Sequence, residues 1–195
     1  MDRLENELIK DIGEERYNHT LRVVDTAIKL ARKHDIDLEK VKKAAILHDC
    51  AKFPGQINWL KMARDFDIIL DNYMEYNQDL IHAPLGAKIA EVKYKIEDKE
   101  VLDAIYYHTT GRENMTLLDK IIYIADYIEP GRKFPGVDEI RKETFAHLDR
   151  GILLALDNTI KFLVDRNKLI HPNTLKARNF LLMDLNPKIK EDIFL

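Results

Sequence analysis

The chain has 195 residues, which fits one domain of ordinary size or one domain with a helical extension. Hydrophobic residues make up 46% and charged residues 33% of it, which is typical neither of disordered proteins nor of membrane proteins. Lysine and arginine number 31 against 34 acidic residues, and a formal net charge of −3 gives no general attraction to nucleic acid.

The single cysteine, Cys50, allows no intramolecular disulfide and favours a reducing compartment. The first ten residues, MDRLENELIK, are charged from the second position and lack the apolar core of a signal peptide. The strongly apolar stretch 121–128 contains Asp126 and is far too short to cross a bilayer. We therefore expect a soluble, cytoplasmic protein with no membrane partner.

Apolar residues recur at helical spacing along nearly the whole chain, and no convincing alternating strand is found, so the sequence predicts an all-α fold. Asp37, Asp98 and Thr116 are plausible N-caps, and Thr116 with Asp119 approximates a capping box. In chain order, helices are expected over about 14–33, 37–49, 57–70, 84–95, 98–108, 116–129, 138–148 and 151–165, with a short one after Asn173 or Thr174.

No internal repeat, low-complexity tract or long linker divides the chain. We therefore expect a single domain over residues 1–195, in which residues from about 150 to 195 form a C-terminal helical annex. The loop 131–136 is the best candidate for a boundary within the fold, although an active-site loop would have the same composition.

The dipeptide His48-Asp49 stands at the end of an apolar predicted helix. Burying a carboxylate beside an imidazole is costly unless the two are paired or bound to a cation. Alone, the pair could be a packed histidine and a solvated aspartate. However, His19 shares the core-facing stripe of the first helix, and Asp126 interrupts an apolar run. Since all four side chains need buried partners, together they indicate a shared site.

Two imidazoles and two carboxylates from separate helices suit a cation such as iron, manganese or zinc. Such a set leaves coordination positions open, which is typical of catalytic rather than structural metal sites. A water bound there loses a proton near neutral pH and becomes a nucleophile. The sequence therefore predicts a hydrolytic metal site on His19, His48, Asp49 and Asp126.

The order of these residues, a histidine, then His-Asp, then an aspartate, each on a helix, resembles the HD-domain metal-dependent phosphohydrolases. The neighbouring segments resemble the YqeK family of bacterial HD hydrolases, and they span residues 16 to 179. These segments read Arg16-Tyr17-Asn18-His19, His48-Asp49-Cys50-Ala51-Lys52, Ile81-His82-Ala83-Pro84, His108-Thr109-Thr110-Gly111, Ala125-Asp126-Tyr127-Ile128-Glu129-Pro130-Gly131-Arg132, Phe134-Pro135-Gly136-Val137 and Thr174-Leu175-Lys176-Ala177-Arg178-Asn179.

The resemblance implies an HD-domain helical bundle that cleaves dinucleoside polyphosphates symmetrically, with diadenosine tetraphosphate and water giving two ADP. It implies iron, with one ion expected and manganese or zinc as alternatives, on the residues that match His19, His48, Asp49 and Asp126. Metal-bound hydroxide would attack a central phosphorus in line, while nearby cations neutralise the oxygens that gain charge.

Within this frame, Asp49 is expected to be catalytic as well as a ligand, because it could orient or deprotonate the attacking water. Lys52, one turn beyond, is placed to reach a phosphate oxygen. Arg132, which follows a Pro-Gly pair, could make a two-pronged phosphate contact. Without the motif, each of these two cations would be an ordinary surface side chain.

His82 and His108 each sit at a predicted helix boundary, where a histidine is often only a cap or a surface residue. As catalytic residues they could contact phosphate or protonate the leaving oxygen. Alternatively, they could hold a second metal that Asp49 bridges to the first. The residues do not decide between these roles, and we favour one tightly held ion with both histidines facing the phosphates.

Substrate contacts are expected from the side chains nearest the predicted site, namely His19, Lys52, His82, His108, Thr109, Tyr127 and Arg132. Trp59 and Phe66 are expected in the core, with a base-stacking surface as the alternative. The remaining histidines are expected to be surface or packing residues, and Thr174, Arg178 and Asn179 could simply dock the last helix.

Two alternatives to this function stay open. The enzyme could act on another nucleotide, or the chain could be a non-catalytic module that binds metal or nucleotide. The Thr-Thr-Gly-Arg-Glu sequence after His108 differs from the Gly-Tyr-Pro of cyclic di-GMP hydrolases, and no extra acidic pair typical of alarmone hydrolases follows Asp49. The intact metal set with Lys52 and Arg132 argues against a mere module. A homodimer is possible.

Overall fold

The computed structural model of the protein describes residues 3–186, and within that range the chain is helical and forms no strand. Ten α-helices are found there, with a short 3-10 helix (Gln78–Ile81) between the fourth and fifth. They are α1 (Arg3–Ala31), α2 (Leu38–Leu47), α3 (Trp59–Asp65), α4 (Asn72–Tyr76), α5 (His82–Val92), α6 (Lys99–Tyr107), α7 (Leu117–Ile128), α8 (Val137–Ala146), α9 (Leu148–Asp165) and α10 (Pro172–Leu185). The predicted all-α fold is confirmed.

The predicted helix caps are present. The Asp37 carboxylate accepts the N–H of Glu39 at the start of α2, and Asp98 does the same for the first turn of α6. Thr116 and Asp119 form a reciprocal capping box at the start of α7. Because the first N–H groups of a helix have no intrahelical acceptor, these side chains fix where α2, α6 and α7 begin.

The predicted bounds were wrong at several helices. The start predicted near residue 14 is correct, because Gly13 (φ 77°, ψ 161°) is non-helical and separates this helix from a preceding helical segment that begins at Arg3 and was not predicted. Helix α3 covers seven residues rather than 57–70, and α4 was not predicted. Elements this short have too few turns for apolar residues to show a period. Helix α10 has 14 residues and is therefore not short.

Helix α7 lies at the centre of the fold, where it packs against α1, α2, α6, α8 and α9. The side chains of Leu118, Ile121, Ile122 and Ile124 are fully buried. Each such side chain contributes roughly 1.5–3 kcal/mol of hydrophobic stabilisation. The last turn of α7 carries Asp126, and Glu129, which directly follows α7, contacts His19 of α1.

Helices α9 and α10 pack against each other, and α9 joins them to α7. Arg178 of α10 donates from Nε to Asp157 of α9 at 2.8 Å, Asn179 accepts from Arg178, and Thr174 is buried. The contact of Arg178 docks α10 on α9, whereas that of Asn179 lies within α10. No helix within residues 3–186 combines the length and apolar character needed to span a bilayer.

Candidate metal centre

Four histidines and two aspartates converge at one place in the bundle. Their ligand atoms form two sets, each within 4.8 Å, which are His19 with His48 and Asp126, and Asp49 with His82 and His108. They come from five helices: the middle of α1, the C-terminus of α2, the start of α5, the C-terminus of α6 and the last turn of α7. All are buried except Asp126, which is partly exposed.

Three of the four imidazoles are oriented by their own backbone. Nδ1 of His48, His82 and His108 each lies within hydrogen-bonding distance of the carbonyl oxygen three residues earlier in the chain. Since a carbonyl oxygen can only accept, each Nδ1 carries the proton, and each Nε2 presents a lone pair. This is the tautomer that a metal ligand requires.

Asp49 stands between the two sets. Its Oδ2 lies 3.5 Å from Nε2 of His48 and 3.8 Å from Nε2 of His19. Its Oδ1 lies 3.4 Å from Nε2 of His82 and 3.5 Å from Nε2 of His108. The carboxylate of Asp49 therefore faces all four imidazoles. Its Oδ2 faces His19 and His48, and its Oδ1 faces His82 and His108.

Several of these buried atoms lack hydrogen-bond partners. Nε2 of His19, Nε2 of His48 and Oδ1 of Asp49 make no hydrogen bond to any group within residues 3–186. Nε2 of His82 and Nε2 of His108 face each other at 3.1 Å, and among the described residues the single hydroxyl hydrogen of Thr109, 3.2 Å from both, is the one donor available to them. Buried lone pairs without donors are costly, so the site fits a divalent cation.

Both carboxylates are ionised at neutral pH. Burial would raise the pKa of Asp49, but the neighbouring imidazoles of His48, His108 and His82 hold it well below its usual range. Burial likewise opposes ionisation of Asp126, but the neighbouring imidazole of His19 and the charge of Arg132 lower its pKa below the usual range. Anionic oxygens are the form in which aspartate binds a metal.

The two histidine environments differ electrostatically. Burial tends to lower the pKa of His48, but the charges of Asp49 and Asp126 outweigh it and raise the pKa. Burial, together with the charges of Lys52 and His108, lowers the pKa of His82 to about 3 in spite of Asp49. His82 is therefore neutral at pH 7 and is a poor proton donor.

A cleft of about 530 Å³ opens beside His19, and Lys52, Arg16, Arg22 and Trp59 line it. Trp59 is partly buried and packs against the core as predicted, while also facing this cleft. The structure thus brings Lys52 to the site together with two further cations. Glu14 and Glu15 also line the cleft, so its side chains carry three positive and two negative charges.

Arg132 lies against a predicted metal ligand. Its Nη2 lies 2.5 Å from Oδ1 of Asp126, and its Nε donates to the backbone oxygen of the same residue at 3.0 Å. The hydroxyl oxygen of Tyr127 accepts from the Asn158 amide of α9 at 2.8 Å. The contacts of Arg132 with phosphate and of Tyr127 with nucleotide stay predictions.

Two charged residues of the site, Arg16 and Glu129, were not predicted from the sequence to have a role. Arg16 contacts Oδ2 of Asp49 at 3.1 Å through Nη1. Glu129, which is 2% exposed, lies beside Nδ1 of His19. The signal that could have revealed Glu129 is its position, because it directly follows the buried end of α7, where an acidic residue needs a cationic or hydrogen-bonding partner.

The fold and the site define an all-helical protein with a divalent-metal centre. The HD-domain family model matches residues 16–131, a range that includes both metal-ligand sets. The chain is 44% identical to the symmetrical bis(5′-nucleosyl)-tetraphosphatase of Halalkalibacterium halodurans over 89% of this chain and 92% of that one. The enzyme of the same name from Staphylococcus aureus is 41% identical over 93% of both chains.

The fold also matches a crystal structure of a predicted HD superfamily hydrolase involved in NAD metabolism from Clostridium acetobutylicum. The TM-score is 0.88 at 44% identity, and the match covers 94% of this chain and 97% of the other. The chain therefore belongs to the HD-domain family and, within it, to the YqeK family that the sequence motifs indicated.

Proposed function

We propose that the protein is a symmetrical bis(5′-nucleosyl)-tetraphosphatase, which converts diadenosine tetraphosphate and water into two ADP. The observation that carries the proposal is that the His19 and Asp49 sets converge and present lone pairs that no donor within residues 3–186 satisfies, as a cation would. Relatives that share 41–44% identity over about nine-tenths of the chain carry this activity in their names, which supports the same substrate class here.

The proposed metal ligands are His19, His48, Asp49 and Asp126, and iron is the proposed metal, with manganese or zinc as alternatives. A divalent cation bound there supplies a lowered pKa for a water molecule and positive charge for phosphate oxygens. Asp49 is placed to orient the attacking water, because its Oδ1 is buried and makes no hydrogen bond to the described residues. Lys52 and Arg16 line the side from which the polyphosphate would approach.

Two features support a second cation held by Asp49, His82 and His108, rather than the single ion favoured by the sequence. Both histidines direct an Nε2 lone pair toward Asp49 Oδ1. His82 is also neutral at pH 7, so its opposing nitrogen is better explained by a cation than by proton donation to the leaving oxygen.

We expect wild-type protein to bind two Mn²⁺ ions per chain and His82→Ala to bind one, as measured by equilibrium dialysis with metal analysis. His147→Ala is the matched control, because His147 is exposed and lies outside both sets. If the wild type binds one ion and His82→Ala binds it too, the second site is contradicted. His82 and His108 would then be assigned to phosphate binding.

Lys52→Met is expected to lower kcat/KM for diadenosine tetraphosphate ten- to hundredfold, mainly through KM. A hydrogen bond to a charged group contributes about 1.5–3 kcal/mol, and each 1.4 kcal/mol is tenfold. Steady-state kinetics would measure this, and Mn²⁺ binding should stay at the wild-type level. Lys42→Met is the control, because Lys42 pairs with Glu39 on the exposed side of α2. Equal kinetics in both variants would show that Lys52 does not contact substrate.

The proposal itself is tested by chromatography of the products that purified protein forms from diadenosine tetraphosphate with added Mn²⁺ or Fe²⁺. ADP as the only product is expected. ATP with AMP would contradict symmetrical cleavage while keeping a metal hydrolase. Binding of the nucleotide without turnover would favour the non-catalytic module instead.

We further propose that the protein forms a single domain with an annex from about residue 150, that it is cytoplasmic, and that it forms a homodimer. Size-exclusion chromatography with light scattering would measure the mass in solution. A mass near 22.8 kDa would contradict the dimer.

A further inference from the structure

The imidazole of His19 is held differently from the other three. His48, His82 and His108 each directly follow the last residue of a helix (α2, the 3-10 helix Gln78–Ile81 and α6), where carbonyl oxygens lack helical N–H partners and can accept from Nδ1. His19 lies in the middle of α1, where the preceding carbonyl oxygens accept helical N–H groups instead. Its Nδ1 therefore needs an acceptor from elsewhere in the fold.

That acceptor is Glu129, which lies 110 positions away and just past the end of α7. Its Oε1 lies 3.2 Å from Nδ1 of His19. Its Oε2 accepts from Nε of Arg22 at 2.6 Å and from the N–H of Gly131 at 2.5 Å. Both oxygens of this buried carboxylate are thus engaged, and only one of them faces the histidine.

The turn that carries Glu129 packs closely around the carboxylate of this residue. A Cβ at Gly131 would lie 2.8 Å from both Oε1 of Glu129 and Nη2 of Arg22, so a larger residue would displace the ion pair. Arg141 of α8 donates to the backbone oxygens of Ile128, Glu129 and Arg132. The position of the carboxylate is therefore fixed by its side chain, by its turn and by the neighbouring helix.

A carboxylate that accepts from Nδ1 changes the imidazole more than a carbonyl oxygen does. A carboxylate at Nδ1 keeps the proton on that nitrogen, aligns the ring and increases the basicity of the opposite nitrogen. Nε2 of His19 is that opposite nitrogen, and it lies 3.1 Å from Oδ1 of Asp126. With the other tautomer, Nε2 would direct a hydrogen at the cation instead of a lone pair.

We infer that Glu129 is a positioning residue that orients His19 and strengthens it as a ligand in the cation site formed with His48 and Asp126. The inference rests on the proposed function only in requiring that a cation binds this set. The role of Glu129 does not depend on which substrate is cleaved or which product forms. The competing explanation is that Glu129 and Arg22 merely tie α7 to α1.

Glu129→Gln separates the two explanations, because glutamine keeps the size of the side chain but removes its charge. We expect metal-free Glu129→Gln protein to bind Mn²⁺ 10- to 100-fold more weakly than wild type, in the range typical for residues that orient a metal ligand. The visible absorption bands of the Co²⁺-loaded protein should also shift. Titration calorimetry and absorption spectroscopy measure these effects without any substrate.

Asp119→Asn is the matched control. Asp119 is another buried carboxylate of α7 that pairs with an arginine, Arg112, but it lies outside both ligand sets. We expect this variant to melt at a lower temperature, with Mn²⁺ affinity and Co²⁺ spectrum as in wild type. Wild-type affinity in folded Glu129→Gln would overturn the inference, as would equal weakening in both variants.

If Glu129→Gln does not fold, Arg22→Gln provides the second test. This variant keeps Glu129 but removes one of the two donors to its Oε2 and the paired positive charge. A several-fold loss of Mn²⁺ affinity is expected, and an unchanged affinity would overturn the inference. Wild-type protein that binds Mn²⁺ but yields no ADP would contradict the proposed hydrolase while leaving the role of Glu129 measurable.

Discussion

Asp49→Asn is expected to lower kcat for diadenosine tetraphosphate at least about a thousandfold and to lose bound cation. The carboxylate of Asp49 faces all four imidazole Nε2 atoms at 3.4–3.8 Å. An asparagine there is neutral and keeps only one acceptor oxygen. A lost Lewis acid costs several kcal/mol in the transition state, and each 1.4 kcal/mol is tenfold in rate. Steady-state kinetics and metal analysis of the purified variant would measure both effects.

Asp37→Asn is the control for this substitution, since Asp37 caps the opposite end of the same helix, α2. Asparagine is as good an N-cap as aspartate, so stability, metal content and kcat should all stay near wild type. An Asp49→Asn protein with full metal content and more than a tenth of wild-type kcat would show that Asp49 is not at the centre of the site.

Gly151→Ala is expected to lower the free energy of unfolding by about 3 kcal/mol, at the upper end of the usual cost of overpacking. A Cβ at this position would lie 2.2 Å from Oγ1 and 2.4 Å from Cα of Thr144. Because one of these atoms is backbone, α8 itself must move away from α9. Urea denaturation followed by circular dichroism would measure the change.

Gly86→Ala is the matched control within another helix, α5. A Cβ there would meet its nearest neighbours at 3.5 Å, which is ordinary van der Waals contact. Alanine favours a helix over glycine by about 1 kcal/mol, so this variant should be as stable as wild type or more stable. Equal stability of the two variants would contradict the close approach of α8 and α9.

The fold class and the ligand positions could be predicted because their signals are local. Apolar periodicity indicates helices directly, and Asp37 or Thr116 marks where a helix begins. His19 and Asp126 were found because charged or polar side chains on apolar helical faces are rare without a partner. Four such residues on three helices already indicated that the helices meet around one site.

The supporting contacts of the site could not be predicted in the same way. Glu129 meets His19 across 110 positions of chain, and Arg16 meets Asp49 across 33. Such pairs depend on how α1 packs against α7 and α2, and each residue alone is an ordinary surface type. The sequence predicts that a helix begins at Gly151, whereas this residue lies inside α9, where the absence of a side chain allows α8 to approach.

The proposed metal centre is tested by locating bound Mn²⁺. We would measure anomalous X-ray scattering at the metal absorption edge from crystals grown with Mn²⁺. We expect a peak within bonding distance of Nε2 of His19, Nε2 of His48 and an oxygen each of Asp49 and Asp126. A second peak beside Asp49, His82 and His108 would establish the two-ion arrangement. A fully loaded protein whose only peak lies away from all six residues would contradict the proposed centre.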